Sequence, residues 1–412
     1  MKIVYIGTAW PMRGGIAHFN AILAAELARR HTVRFLSFTR QYPGLLFPGK
    51  TQMVADREAG AAVRMEADPV LDSIGPWSWW RTARRAARER PDLLLFKYWM
   101  PFFAPAFGSV SRWVKRWTGA RVVFVCDNIL PHERRPLDRA LTRYALAPVD
   151  GFVVMSASVR DDLLAVRPDA DFRLVPHPIY HVFGERIDKR AARERLGLGP
   201  GPLLLFFGYI RAYKGLDLLL AALPAVRERI GAQLLVAGEF YEGEARTRAA
   251  AEAPGLAGAV HFHADYIPED RVALYFSAAD AVVLPYRTAT QSGIIQVAYQ
   301  LDTPVICTDV GGLAEVVPHE VSGFIVPPGD AAALAREIVR FYEEGWEERL
   351  RTGVREQKRK YGWDPLVAAI EAFAAQPGGG PAGRAREIES PEGRAREGRA
   401  LEDEARQAEE EA

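Results

Sequence analysis

"FFGYIRAYKGLDLLL", residues 206–220, runs from an apolar segment into a helical pattern through a turn that holds Arg211 and Lys214 between Gly208 and Gly215. An unbroken apolar run closed by glycine and followed by an amphipathic segment is one strand–turn–helix unit of a parallel sheet. The same alternation fills most of the chain. "KIVYIG", "TVRFLSF", "DLLLFKY", "RVVFVCD" and "GFVVMS" read as strands one, two, four, five and six of a first sheet. "PLLLFFGY", "AQLLVAG", "AVHFHA", "AVVLPY", "TPVICTD" and "GFIVPP" read as a second. The class is therefore α/β, with two parallel sheets and helices between strands. Two cores are expected from 412 residues with 49% hydrophobic content, because single cores rarely grow past roughly 250–300 residues. The Pro-rich "VPHPIY", residues 175–180, is the natural linker, since proline breaks both ladder and helix. A first domain is thus expected over 1–177 and a second over 178–361, with a C-terminal helix over 362–375 that packs back toward the first domain. Residues 376–412 contain "GRARE" twice and no aromatic residue; a segment with so little to bury cannot offset its chain entropy, and disorder is expected.

Composition excludes several classes. The formal charge is +1, from 53 basic and 52 acidic residues, so the surface as a whole does not suit nucleic acid. Cys126 and Cys307 are the only cysteines, too few for a disulfide framework or a cysteine metal cage, and a cytoplasmic setting is expected. "MKIVYIGTAWPMR" reads as a first strand rather than a signal peptide, because its short apolar run ends in a turn without a small-residue cleavage site. The uncharged stretch Tyr98 to Ser111 falls short of the roughly 20 residues that a membrane-spanning helix needs.

Three loops point to one anionic ligand. In an open α/β sheet, ligands sit beyond the carboxyl ends of the strands, and Arg211 and Lys214 lie in such a loop, where two cations suit a diphosphate. At "TATQSGIIQVAYQ", Ser292 or its neighbours can cap a helix whose free N–H groups and positive dipole end favour phosphate. In "WPMRGGIAHFN", after the first strand, Gly14 and Gly15 let backbone approach a ligand with no Cβ in the way. This is not the G-x-G-x-x-G dinucleotide fingerprint. Loops of this kind on both sheets imply a ligand held in the cleft between them.

Over nearly all of residues 1–375 the chain resembles the family 4 retaining glycosyltransferases, whose GT-B fold has two Rossmann-like domains facing across a cleft. The resemblance rests on "GGIAHFN", "FGYIRAYKGLDLLLAAL", "DYIPEDRVALYFSAADAVVLPY", "TPVICTDVGGLAEVV" and "HEVSGFIVPPGD", in that order. It implies an acceptor-binding first domain, a donor-binding second domain, a UDP- or GDP-linked sugar donor, and a glycan or lipid-linked glycan acceptor. It also implies retention at the anomeric carbon with no metal and no cofactor. The Arg/Lys pair, here Arg211 and Lys214, and the amides around Ser292, Gly293 and Ile294 would hold the diphosphate. Gly14, Gly15, Tyr209, Ile267, Thr290, Gln291 and Gln296 complete the expected donor site. Near the donor sugar the resemblance implies a histidine, commonly where Asp127 stands in "CDNILPHE"; Asp127 and His132 are both candidates. Two departures stand out. In the commoner pattern the arginine lies five residues before the lysine, where this chain has Tyr209, and two glutamates eight positions apart are replaced by Thr288 and Gln296. Gln296 is expected to bond the ribose through its amide, and Thr288, Thr290, Gln291 and Ser292 to contact sugar or diphosphate. A nucleotide-sugar epimerase of the same fold and a non-catalytic nucleotide-sugar-binding scaffold are the rival readings.

Asp169 and Asp171 form an Asp-x-Asp that reads as a chance pair in an exposed turn, not as a metal site. Six of the nine tryptophans lie between Trp77 and Trp117, and Arg81 to Arg121 holds ten basic residues against two acidic ones. That segment reads either as packed helices with solvated basic faces or as a surface that docks on an anionic membrane, which would place the protein at the inner membrane face. Single-stranded nucleic acid can also use such groups, but nothing else in the chain supports it.

Overall fold

The computed structural model describes residues 1–44, 52–53, 65–131 and 136–375; His132 and the tail from 376 lie outside them. The first sheet contains β1 (Lys2–Ile6), β2 (Thr32–Arg40), β3 (Asp68–Asp72), β4 (Leu93–Tyr98), β5 (Arg121–Cys126), β6 (Gly151–Val154) and β7 (Phe172–Leu174), in the order β3-β2-β1-β4-β5-β6-β7. The second contains β8 (Leu203–Phe207), β9 (Gln233–Ala237), β10 (Val260–His263), β11 (Ala281–Leu284), β12 (Val305–Thr308) and β13 (Gly323–Val326), in the order β10-β9-β8-β11-β12-β13. Every recorded strand pairing is parallel. The order reverses between β1 and β4 in one sheet and between β8 and β11 in the other, and these switch points open the crevices where α/β sheets take ligands. The molecule is two Rossmann-like domains facing across a cleft, the GT-B arrangement.

Central strands are legible because both of their faces are covered: β4 and β8 are buried along their whole length. The edge strand β3 escapes a hydrophobic reading. Its sequence DPVLD carries Pro69, which an edge tolerates, and charged ends.

The core differs from expectation. Among the described residues there are three buried clusters, not two. One lies on the outer face of the first sheet, where Ile6, Leu94 and Phe96 meet Phe103 and Phe107. A second joins Leu204, Phe206 and Val236 to Leu219 and Leu223. The third runs from Tyr5, Leu95 and Val125 through the linker residues Val175, Ile179, Tyr180 and Phe183 to Leu205, Leu235 and Tyr299, so the two domains share apolar packing. The C-terminal helix Asp364–Ala374 belongs to this shared core: Trp363 Nε1 donates to the Ile179 carbonyl at 2.8 Å, and Phe373 fills the space above Gly151, where a Cβ would come within 2.3 Å of its ring.

Three helices of the first domain matter below: α1 (Gly15–Ala28), α2 (Pro76–Arg88) and α3 (Ala104–Thr118). Among the described residues no helix is long and apolar enough to cross a membrane.

Candidate functional site

The turn after β8 is built around two glycines in the left-handed region. Gly208 has φ +94°, and a Cβ on it would lie 3.1 Å from Lys214 Nζ and 3.3 Å from Ile294 Cδ1. Gly215 has φ +69°, and a Cβ there would collide with the Pro285 carbonyl oxygen at 2.0 Å. Only glycine lets this loop fold back against β11's continuation and tuck the lysine beneath it. Lys214 is 8% exposed and meets no carboxylate among the described residues. Burial, and then the neighbouring Arg211 charge, push its ammonium down to about 7. Arg211 is exposed, with its guanidinium 5.7 Å from the Tyr213 ring and 6.0 Å from the Tyr241 ring.

Two helix starts converge opposite this loop. The helix Gly293–Gln300 begins at Ser292, which has extended backbone but makes no side-chain cap; its hydroxyl lies 3.5 Å from that of Tyr286 instead. α1 likewise begins without a side-chain cap at Gly14, whose φ is +110°. Uncapped helix starts keep N–H groups and dipole available to an anion. Between them stands Tyr180: its hydroxyl is 3.9 Å from a Cβ built on Gly15 and 3.4 Å from one built on Gly293. His177 Nδ1–H donates to the Pro178 carbonyl at 2.8 Å, which leaves Nε2 to accept from the Tyr180 hydroxyl at 3.3 Å. Burial first, with the Lys97 charge, pulls His177 down to about 4, so the ring is neutral. The Tyr180 oxygen is left as an acceptor.

Gln296, one turn into the helix, is 1% exposed, and its Oε1 has no hydrogen-bond donor; neither has Gln291 Oε1. A buried amide oxygen without a donor costs about 1–3 kcal/mol, which a ligand hydroxyl would recover.

Asp127 follows β5 and faces the same space. Its Oδ1 accepts from Gln291 Nε2 at 3.0 Å and lies 2.7 Å from Lys97 Nζ. Lys97 is fully buried at the end of β4, its ammonium 3.3 Å from the centroid of the Phe19 ring. Burial lowers its pKa, against the opposing pull of Asp127. Beside this pair Thr290 Oγ1 donates to Asn128 Oδ1, so the loops after β5 and β11 are bonded across the cleft. A second bridge joins Arg13, before the first glycine pair, to Glu239 after β9 at 2.7 Å, and a third joins His18 to Glu269.

The structure therefore gathers Gly14, Gly15, Asp127, Thr290, Gln291, Ser292, Gly293, Ile294, Gln296, Arg211 and Lys214 about one cleft. Tyr209 packs against Tyr241 with ring centroids 4.7 Å apart and the rings tilted by 39°, and Ile267 is half-buried beside Tyr266. Thr288 is exposed, next to an Arg287 that is paired with Asp217. The Asp-x-Asp is not an exposed turn throughout: Asp169 is exposed, but Asp171 is buried and bonded to Arg173 at 2.7 Å, because its chain has entered the β7 edge. Among the described residues no group of three or more His, Cys, Asp or Glu is arranged to hold a metal ion. Sequence reading passed over Lys97, His177, Tyr180 and Arg13. Lys97 had a signal, as the single charge inside the apolar run "DLLLFKY".

The Trp-rich segment forms α2 and α3, packed on each other. Trp77 is 68% exposed and stacks on Trp80 at 4.7 Å, and Trp117 is 44% exposed and stacks on Trp113. Two of its cations are committed inward: Lys115 pairs with Asp150 at 2.6 Å, and Arg112 donates to the Gly108 and Tyr144 carbonyls.

Comparison with known proteins gives the following. Residues 13–183 match the family "Glycosyltransferase Family 4", and residues 201–344 match "Glycosyl transferases group 1". D-inositol 3-phosphate glycosyltransferase of Xylanimonas cellulosilytica is 31% identical over 221 residues, which is 52% of each chain; the present chain spans about half the length of the curated relatives it matches. Among solved structures, sucrose-phosphate synthase from Thermosynechococcus elongatus superposes with a TM-score of 0.71 at 20% identity, over 91% of this chain and 100% of that one. HepE from Anabaena in complex with UDP-glucose gives 0.69 at 16% identity, again over 91% and 100%. At these identities the structural likeness shows the fold.

Proposed function

Because the chain belongs, through both of its domains, to the family 4 and group 1 glycosyltransferases, we propose that it transfers a sugar, with retention, from a nucleotide-linked donor to a glycan or lipid-linked glycan. The observation that carries this is Lys214: a buried ammonium with no carboxylate partner among the described residues, beside Arg211 and an uncapped helix start. Such a site is incomplete without an anion. The unpartnered oxygens of Gln291 and Gln296, with that of Tyr180, ask in addition for a ligand rich in hydroxyl donors. A sugar joined to a nucleoside diphosphate supplies both chemistries. A uridine donor is favoured, since HepE, which shares the fold, was solved with UDP-glucose.

In the reaction the bond from the anomeric carbon to the diphosphate oxygen breaks, and negative charge grows on the leaving group. Lys214, Arg211 and the helix-start amides are already in place to stabilise it, at no cost in reorganisation. The acceptor oxygen bonds to the same face of that carbon and gives its proton to the leaving phosphate oxygen. No protein nucleophile and no metal is needed. Asp127, fixed by Lys97 and Gln291, supports the positive charge that develops on the sugar ring. The exposed tryptophans and arginines of α2 and α3 support docking on the cytoplasmic face of an anionic membrane, which would bring the cleft to a lipid-linked acceptor.

The amide of Gln296 gives the direct test. Gln296→Ala should weaken nucleotide-sugar binding by about 1–3 kcal/mol in calorimetry, while Gln296→Glu retains binding. A Gln296→Ala variant that binds as tightly as the natural chain would remove the ribose role.

A further inference from the structure

Arg13 precedes the glycine pair of the first domain, yet its side chain is buried in the second. The side chain is 5% exposed, and Nη2 donates to Glu239 Oε2 at 2.7 Å, where Glu239 is itself 1% exposed. The guanidinium lies 4.9 Å from the centroid of the Tyr266 ring. A Cβ built on the next residue, Gly14, would lie 3.8 Å from the Tyr209 hydroxyl. Tyr209 packs against Tyr241 with the rings tilted by 39°, and that same Tyr241 ring faces the Arg211 guanidinium at 6.0 Å. Arg13 and Arg211 therefore flank one tyrosine pair from opposite domains. One polar group is left over: Arg13 Nε is buried and has no hydrogen-bond partner. An arginine fork held on one side by a carboxylate, with a spare N–H pointing away from it, is equipped to take a second anion.

We propose that Arg13 is a third cation of the donor-diphosphate site, supplied by the first domain across the cleft, with Glu239 as its resting partner. The inference rests on the nucleotide-sugar reading above. It gives the chain a guanidinium beside Tyr209, and it ties phosphate contact to both domains, because Arg13 comes from the first and reaches into the second. Glu239 acts as a competitor for the guanidinium: it neutralises the charge in the empty cleft and yields it, in part, to the incoming phosphate.

The test is calorimetry on the full chain with UDP and UMP as probes, for the natural protein, Arg13→Met, Arg13→Lys, Glu239→Gln and Lys214→Ala. Arg13→Met should lose about tenfold or more in UDP affinity, the worth of one charge-assisted hydrogen bond, and lose less for UMP, which lacks the second phosphate. Arg13→Lys should recover part of the loss. Glu239→Gln should bind UDP at least as tightly as the natural chain. If Glu239→Gln loses as much as Arg13→Met, or if the two nucleotides are weakened alike, the pair is only a latch between domains and the proposal is overturned. The same holds if Arg13→Met binds UDP within twofold of the natural chain. Loss of UDP binding in Lys214→Ala alone, with Arg13→Met intact, overturns the role of Arg13 and leaves the functional reading standing. Failure of the natural chain to bind any nucleotide removes both.

Discussion

Lys214 carries a pH signature. Its pKa of about 7 lies below the ordinary 10.5, so folding penalises its charged form. Below pH 7 the residue is charged in both states and the penalty is fully present. Between about 7 and 10.5 the unfolded chain keeps a proton that the folded chain has lost, so this residue's contribution to stability rises with pH over that window. A diphosphate needs the ammonium. UDP affinity should therefore fall as pH rises through 7, and calorimetry at pH 8 in buffers of different ionisation heat should register proton uptake on binding. Lys214→Met should abolish that uptake; an unchanged uptake would assign it elsewhere. Lys97 and Asp127 make a different case. Removal of Asp127 leaves a fully buried ammonium without a counter-charge, which costs about 3–5 kcal/mol, whereas removal of Lys97 leaves a carboxylate that is partly exposed and still accepts from Gln291 Nε2. Asp127→Ala should thus destabilise the first domain more in urea unfolding than Lys97→Met does. The opposite order would mean that the lysine is not held by this aspartate.

At the scale of elements, the cations of α2 and α3 separate into those that bond to the fold and those exposed on its surface. Lys115 and Arg112 serve the fold, so they are poor probes of a membrane role. Arg81, Arg84, Arg88 and Arg116 are exposed. Their replacement by serine should leave the melting transition in place and reduce sedimentation with anionic liposomes by about 1 kcal/mol per residue. Unchanged sedimentation would return both helices to ordinary packing. Elements were legible in the sequence where burial on two faces produced unbroken apolar runs, as in β4, β5, β8 and β11. β3 was illegible, because Pro69 and charged ends at a sheet edge leave it no apolar run. In the site, Gly208, Gly215, Arg211 and Lys214 could be read because one short turn holds them all. Lys97 showed only as a charge within an apolar run; its role could not be read, because that depends on Asp127, thirty positions away in another strand's loop. Tyr180 was hidden for a related reason: it lies in the Pro-rich linker, and only the fold brings it between two helix starts.

The whole molecule is two sheets whose switch points face each other, joined by a shared apolar core and by polar bridges at Arg13–Glu239, His18–Glu269 and Thr290–Asn128. The bridges hold the glycine loop of one domain against loops of the other, so a ligand in the cleft would touch both. The central claim is that this ligand is a nucleotide-sugar gripped by Lys214. Calorimetry of UDP-, GDP- and ADP-sugars at pH 6.5, where the lysine is charged, tests it most directly. At least one donor should bind the natural chain, and Lys214→Ala should bind the same donor about tenfold or more weakly, as expected for the loss of one charged contact. Absence of binding by every donor, or equal affinity in the two proteins, would contradict the account.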